Sequence, residues 1–404
     1  MKKKVLFVIN TLGRAGAEMA LMELLKKLDP REYEVSLYVL LGQGELADRI
    51  PEYVSLKNKD LDQCSVLSEE GRKHIYKYIL KAMFRRGNVF YRLPYMISAL
   101  AVMIRNHKIW PDKLLWRVIA DSGERFGEEY DLAVAYLEGG STYYVADYVK
   151  AKKKAAFVHI DYTQAGYTRK LDRDCYLGFD AVFPIADEVR DKFLQVYPEC
   201  KEKTVVFHNM LNQAEIKEKA ELPGGFTDDF PGIRILTVGR LSYQKSYPVA
   251  IEAMRLLRQE GYEARWYVLG DGPERQNLEH QIASAGLEKD FILVGAVDNP
   301  YPYYAQTDIY VHATRFEGKS IAIQEAQILG CPIVASDSSG NREQITEGED
   351  GTLCRLDPES VKAAIADLIQ DKEKRLKFGR AAAEKKIAYE EDFALFTALL
   401  ENED

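Results

Sequence analysis

Two carboxylates, Glu317 and Glu325, stand with seven residues between them around a short Gly-containing turn, Phe316-Glu317-Gly318-Lys319-Ser320. Gly318 lets the backbone bend and come close to a ligand, and Ser320 is placed to cap a helix whose first amides, at Ile321 and Ala322, point out of its start. An anion is expected there. Glu325 is flanked by Ile323, Ala326 and Ile328, so its carboxylate lies near packed surface and needs hydroxyl or amide donors, because a buried unpaired charge is costly. The plain alternative is an acid at a helix start and a surface glutamate two turns later.

Other groups able to do chemistry recur at strand ends. Arg240 and Lys245 lie five residues apart in a strand-to-helix turn, where a planar guanidinium and a compact ammonium can converge on a diphosphate. His159 closes the apolar run Lys154 to His159, at the rim where parallel strands place ligands, with Asp161 as a neighbour. A lone histidine there is equally compatible with a structural role. Gly16, after the first strand, and Gly272, in Gly270-Asp271-Gly272-Pro273, lie in further strand-to-helix turns. No Gly-x-Gly-x-x-Gly stands in the first turn, which argues against a nicotinamide site.

The elements that must hold these residues are α/β in rhythm. Val5 to Ile9, Tyr33 to Leu40, Asp131 to Tyr136, Lys154 to His159, Asp180 to Ile185 and Thr204 to His208 read as strands of one half. Ile233 to Val238, Ala264 to Leu269, Phe291 to Val294, Asp308 to His312 and Pro332 to Ala335 read as strands of a second. The charged, Pro- and Gly-containing stretch Glu215 to Gly232 reads as a linker. At 404 residues and 47% hydrophobic content the chain supports two domains with substantial cores. A net charge of −8 argues against general nucleic-acid binding, and five cysteines without CxxC spacing read as reduced thiols of a cytosolic protein. No run reaches the roughly 18 apolar residues of a membrane span.

One segment departs from this pattern. Residues 71–117 carry eleven Lys or Arg against one acid, Asp112, a net of +10. Lys73, Lys77, Lys81 and Arg85 recur every fourth residue beside Ile75, Ile79 and Met83, with Tyr91, Tyr95, Trp110 and Trp116 as interfacial aromatics. A basic amphipathic stretch of this kind reads as a surface that lies on anionic lipid, the alternative being a helical insertion with a solvated basic face.

Taken together the motifs resemble glycosyltransferase family 4, the group 1 retaining enzymes of GT-B fold. The Glu-x7-Glu signature of that family stands here as Phe316-Glu317-Gly318, Glu325-Ala326, Gly330 and Pro332. Gly239-Arg240-Leu241 with Gln244-Lys245 matches its GRL…QK motif, and Gly16-Ala17-Glu18 its GGAE loop, with Ala15 in place of the first glycine. The matches run in order from Gly16 to Glu325. The resemblance implies two Rossmann-like domains facing each other across a cleft: an N-terminal acceptor domain over 1–211 with the basic helical insertion at 60–127, a C-terminal donor domain over 212–387, and a last helix, 388–404, returning to the first domain. It implies that Glu317 and His159 orient the donor sugar, that Arg240 and Lys245 neutralise the diphosphate, and that Glu325 accepts the ribose hydroxyls. Gly16, Gly272, Gly318, Ser320, Ile321 and Ala322 complete the expected donor site. No cofactor and no metal are expected, since these cations and amides already supply positive charge. The expected function is transfer, with retention, of a hexose or N-acetylhexosamine from a nucleotide sugar, UDP-linked, to a glycan or lipid-linked acceptor in cell-surface polysaccharide synthesis. The enzyme would be cytoplasmic or peripheral on the inner membrane face. The alternative is a UDP-N-acetylglucosamine 2-epimerase-like isomerase, which shares the fold but needs more acids and bases round the sugar than Glu317 and His159.

Overall fold

The structure, a computed structural model, describes residues 2–66, 68–84, 88–105, 111–163, 165–316, 318–385, 387 and 390–401. It divides into two compact units, Met1–Met210 with Tyr389–Asp404, and Leu211–Ala388.

The first unit is built on six parallel strands, β1 (Lys3–Ile9), β2 (Tyr33–Val39), β3 (Ser55–Leu56), β4 (Glu129–Ala135), β5 (Lys150–Val158) and β6 (Ala181–Pro184), in the order β3-β2-β1-β4-β5-β6. Strand β1 is apolar along its inner length because both faces of the sheet are covered. Leu6 and Val8 join the core on one side, and Val5, Phe7 and Ile9 the core on the other, as the two-residue period of a strand requires. Helix α1 (Gly16–Lys27) follows β1. Three helices, α2 (Glu69–Phe84), α3 (Asn88–Arg105) and α4 (Pro111–Ser122), fill the basic insertion, and α5 (Gly140–Tyr148), the short α6 (Arg169–Asp172) and α7 (Asp187–Val196) complete the unit. The last helix of the chain, Glu390–Glu401, packs on this sheet through Phe396, whose ring lies 5.9 Å from Phe7. Asp392 on that helix accepts from the backbone N–H of His208 at 2.8 Å.

The second unit repeats the plan with β7 (Ile233–Val238), β8 (Ala264–Leu269), β9 (Phe291–Gly295), β10 (Ile309–His312), β11 (Ile333–Ser336) and β12 (Gly351–Cys354), all parallel, in the order β12-β11-β10-β7-β8-β9. Its helices include α8 (Gln213–Ala220), α9 (Tyr247–Gln259), α10 (Arg275–Ser284), α11 (Tyr301–Ala305) and α12 (Ile321–Ile328). Trp266 and Val268 face one core, Tyr267 and Leu269 the other.

Two expectations are corrected. Thr204 to His208 is not a strand. After the turn Pro198–Lys203 only Thr204 bridges to Val182, and the chain then runs beside β6 through single bonds, Val205 N–H to the Val182 carbonyl at 3.0 Å and Phe207 N–H to that of Pro184 at 2.9 Å. The stretch read as linker contains α8, capped by the Asn212 side chain, which accepts from the Glu215 amide at 3.1 Å. Its high charge had masked the helix because α8 buries one apolar residue, Ile216.

Candidate active site

The carboxyl ends of β7, β8 and β10 carry the candidate groups of the second unit. Arg240 follows β7 and is exposed, and Lys245 ends a one-turn helix, Tyr243–Lys245. Gly239 has no side chain, and a Cβ built there would meet Lys245 Cε at 3.3 Å, so the lysine stem runs along this glycine. Lys245 Nζ stands 3.4 Å from Nε2 of buried His312, whose Nδ1 is 3.2 Å from the Tyr310 hydroxyl. With Nε2 accepting from the ammonium, Nδ1 carries the ring proton and donates to Tyr310. The turn is clamped from β10, since Arg315 N–H donates to the Gln244 carbonyl at 2.9 Å and Gln244 Nε2 to the Phe316 carbonyl at 2.8 Å.

Gly270 and Gly272 have a packing role. Gly270 has φ 140°, and Cβ atoms at 270 and 272 would fall 2.1 Å from the Gly239 carbonyl oxygen and 2.3 Å from that of Leu241. The β8 turn can therefore lie against the Arg240 turn only with glycines at these places. Leu241 N–H closes the contact on the Asp271 carbonyl at 3.0 Å.

Ser320 occupies the N-cap position of α12, but its side chain makes no capping bond, contrary to expectation. Its backbone is what is held. Gln344 Oε1 accepts the Ser320 N–H at 2.7 Å and Gln344 Nε2 donates to the Ser320 carbonyl at 2.9 Å, while Gln327 Nε2 donates to the Gln344 carbonyl at 2.7 Å. The first intrahelical bond starts at Gln324, so the Ile321 and Ala322 amides precede it and project from a rigid helix start. Cutting the clamp with Gln344→Ala leaves the buried Ser320 amide without a partner and takes one of two donors from its carbonyl, which keeps the Gln324 N–H. A loss of about 1–3 kcal/mol is expected, read as a lowered denaturant midpoint.

Glu325 is partly exposed and receives hydroxyls from α11, Tyr301 at 3.2 Å and Tyr304 at 3.0 Å. Burial pushes its carboxyl up to about 7 against the pull of those two bonds. Each carboxylate oxygen keeps lone-pair capacity for a further donor. Neither tyrosine was picked out from the sequence, although Tyr301-Pro302-Tyr303-Tyr304 is a conspicuous aromatic run. Glu317 lies outside the described residues; Gly318 lies two positions before Ser320.

In the first unit, His159 follows β5, buried, with neither ring nitrogen within reach of a partner among the described residues. Burial lowers its pKa to about 4, so the imidazole is neutral at physiological pH. The Glu138 carboxylate accepts the His159 backbone N–H, and burial raises that carboxyl to about 7. Asn10, after β1, joins the cluster: its Nδ2 donates to the Glu138 carbonyl at 3.0 Å and its Oδ1 accepts the Ser141 N–H at 2.8 Å. Glu138 and Asn10 were missed in the sequence; the signal was Glu138-Gly139-Gly140 directly after an apolar strand. Asp161 closes a local turn, accepting from Thr163 N–H at 2.9 Å and Oγ1 at 2.6 Å. Gly16 is the first residue of α1.

Residues 230–385 match the family model of glycosyl transferases group 1. A Campylobacter jejuni protein, N-acetylgalactosamine-N,N'-diacetylbacillosaminyl-diphospho-undecaprenol 4-alpha-N-acetylgalactosaminyltransferase, is 24% identical over 395 residues, 96% of each chain. The amylovoran biosynthesis glycosyltransferase AmsK of Erwinia amylovora is 33% identical over 145 residues, 34% of this chain and 35% of its own. Among solved structures, Anabaena Alr3699/HepE in complex with UDP and glucose aligns with a TM-score of 0.68 at 16% identity, covering 99% of this chain and 100% of that one. The fold is GT-B, and the second unit is a group 1 glycosyltransferase domain. The chain is a glycosyltransferase.

Proposed function

We propose that this glycosyltransferase moves a hexose or N-acetylhexosamine from a UDP-linked donor, with retention of anomeric configuration and without a metal, to a glycan or lipid-linked acceptor of cell-surface polysaccharide synthesis. The observation that carries the donor part is the β10–α12 turn: a helix start locked by Gln344, followed one turn later by Glu325 with its raised pKa, in the unit that also presents Arg240 and Lys245. The diphosphate is assigned to Arg240, Lys245 and the Ile321 and Ala322 amides, which stabilise charge developing on the leaving nucleotide. Glu325 is assigned to the ribose hydroxyls, and Glu317 and neutral His159 to the donor sugar. Gly16, Gly272, Gly318 and Ser320 form the backbone bed. The acceptor hydroxyl attacks from the face of the departing phosphate and passes its proton to a phosphate oxygen, so no protein base is required. The acceptor class draws on the relative over 96% of the chain, whose name specifies an undecaprenol-linked glycan. A peripheral seat on the inner membrane face, through 71–117, is part of the same reading.

A thermal-shift panel of nucleotides tests it. UDP at a hundred times its Kd should stabilise the folded state by about 2.7 kcal/mol, with GDP and ADP far less effective and EDTA without influence on turnover. A panel in which no uridine nucleotide raises the melting temperature would refute the donor assignment. Conversion of most of a UDP-N-acetylhexosamine to its 2-epimer in the absence of acceptor would favour an epimerase.

A further inference from the structure

One buried acid of the first unit has no part in the transfer as assigned above. Glu138 follows β4, is 5% exposed, and takes the backbone N–H of His159 on its carboxylate. The parallel pairing of β4 with β5 ends at Ala135 and Ala156, so the His159 amide lies past the last pair of that ladder and a side chain serves it instead. Burial pushes the Glu138 carboxyl up to about 7, against the pull of the amides of Glu138 itself, His159 and Ile160 and of the Lys113 charge. A carboxylate in so apolar a place is costly, and perturbed acids of this kind gather at functional sites.

The turn that carries Glu138 is tied down on both sides of it. The Leu137 carbonyl accepts the hydroxyls of Ser141 at 2.5 Å and Thr142 at 2.9 Å, and the Glu138 carbonyl accepts Asn10 Nδ2 at 3.0 Å. Asn10, buried just after β1, takes the Ser141 N–H on its side-chain oxygen at 2.8 Å and the Leu41 N–H on its carbonyl at 3.0 Å. Two glycines make this fit possible. Gly139 has φ 80°, and a Cβ at Gly140 would stand 2.8 Å from Asn10 Oδ1. The ends of β1, β2 and β4 thus converge on one acid, and its carboxylate carries their constraint to β5.

What that carboxylate holds is the backbone beneath the His159 ring. The ring packs against Tyr136 and Phe157, with centroids 5.1 and 6.0 Å away. Its two buried nitrogens have no partner among the described residues. Packed neighbours and staggered rotamers limit how the ring can turn, so the direction of its nitrogens is set by where the backbone is held. A displacement of about 1 Å there can cost about 10²-fold in a reaction that depends on orientation.

We propose that Glu138 is a positioning residue for sugar transfer: its carboxylate, fixed through Asn10 and the turn into α5, anchors the His159 backbone so that the imidazole is presented to the donor sugar. Glu138 acts through His159, so its role rests on the assignment of His159 to that sugar. A carboxylate suits the task because it only accepts, whereas an amide side chain would bring an NH2 toward the Ile160 amide.

A double-mutant cycle in the full chain tests this, with turnover of a UDP-sugar and UDP-induced thermal stabilisation as its two readouts. H159A should lower kcat by about 10²-fold, and E138A should do the same through the displaced ring. The double variant E138A/H159A should lie within about 3-fold of H159A, because with the ring gone nothing is left to aim. An acid that only braced the fold would give losses that multiply, to about 10⁴-fold. UDP carries no sugar, so the stabilisation it confers should match the parent in every variant. E138Q keeps one oxygen for the His159 amide and should recover kcat to within about 5-fold of the parent. Its remaining loss should also vanish beside H159A, which closes the cycle should E138A fail to fold. Multiplying losses, a parent-like kcat in E138A, or a folded Glu138 variant that UDP no longer stabilises would overturn the role given to this acid. A parent-like kcat in H159A would instead remove His159 from the sugar, and the role of Glu138 with it.

Discussion

With Lys245 replaced by Met, kcat/KM for the nucleotide sugar should fall by about 10²–10³, the cost of removing one well-placed donor from a developing oxyanion. The leaving diphosphate gains charge as the glycosidic bond breaks, so the ammonium contributes more in the transition state than in the bound donor. The fall should therefore appear chiefly in kcat, with a smaller rise in KM. Methionine fills the stem volume along Gly239, so the melting temperature should stay within a degree or two of the parent; the His312 ring merely loses a weak contact of 3.4 Å. Arg240→Ala should act in the same direction, and because Arg240 is exposed its loss carries no packing cost. Steady-state kinetics with a UDP-sugar checks both. Retention of full activity in either variant would remove that residue from the diphosphate site.

How far the sequence foretold these groups depends on what holds each of them. Strands β7 and β8 lie where their mainly apolar runs say, Ile233–Val238 and Ala264–Leu269, because a parallel strand covered on both faces is apolar over most of its length, the exceptions being Arg234 and Arg265 near the starts and Thr237, and each is followed by Gly at its ligand end. The positions of Arg240, Lys245, Ser320 and Glu325 at strand and helix ends follow from that rhythm. What escapes is the set of partners brought together from a distance. Gln344 reaches Ser320 over 24 residues and Tyr304 reaches Glu325 over 21, and no local pattern marks a glutamine as a backbone clamp. Ser320 shows the limit from the other side: its residue type predicts a side-chain cap, and tertiary structure supplies Gln344 instead. In the insertion the basic stripe of α2 is legible at Lys73, Lys77 and Lys81, whereas nothing in the sequence marks which apolar residues of α3 are covered: Ala99 and Met103 are buried and Phe90, Leu93, Ile97 and Ile104 are exposed. Whether such a run is core or surface depends on which of its faces the neighbouring helices cover, and α4 and α6 cover only one. Arg85 and Trp110, also singled out there, lie outside the described residues.

Glu325 offers a test in which stability and function should move in opposite directions. Its carboxyl titrates at about 7 in the folded protein against 4.5 when unconstrained, so between those values the native state binds a proton that the unfolded chain does not. Folding stability from this group is therefore fully present below about pH 4.5 and is lost as pH rises through 7. Glu325→Gln removes the charge that burial penalises and keeps one oxygen to accept from Tyr301, while its NH2 can donate to the Tyr304 hydroxyl, whose own proton has the Ala322 carbonyl as acceptor at 3.3 Å. At pH 8 it should be more stable than the parent by about 1–3 kcal/mol, and near pH 4.5 the difference should vanish. Donor binding has the opposite sign, because a ribose diol donates to the carboxylate and its binding must expel the proton. Parent affinity for UDP should be level above pH 7 and decline toward a limiting tenfold per pH unit below it, whereas Glu325→Gln should bind weakly with no such slope. Glu325→Ala, which loses two charge-assisted hydrogen bonds, should weaken UDP by about 10²–10³. Calorimetric titrations across pH 5–8, paired with denaturation of the same variants, distinguish the two roles. A purely structural glutamate would yield the stability difference without the pH slope in affinity. The ribose assignment requires both: a substitution that strengthens the fold at alkaline pH and costs the protein its nucleotide.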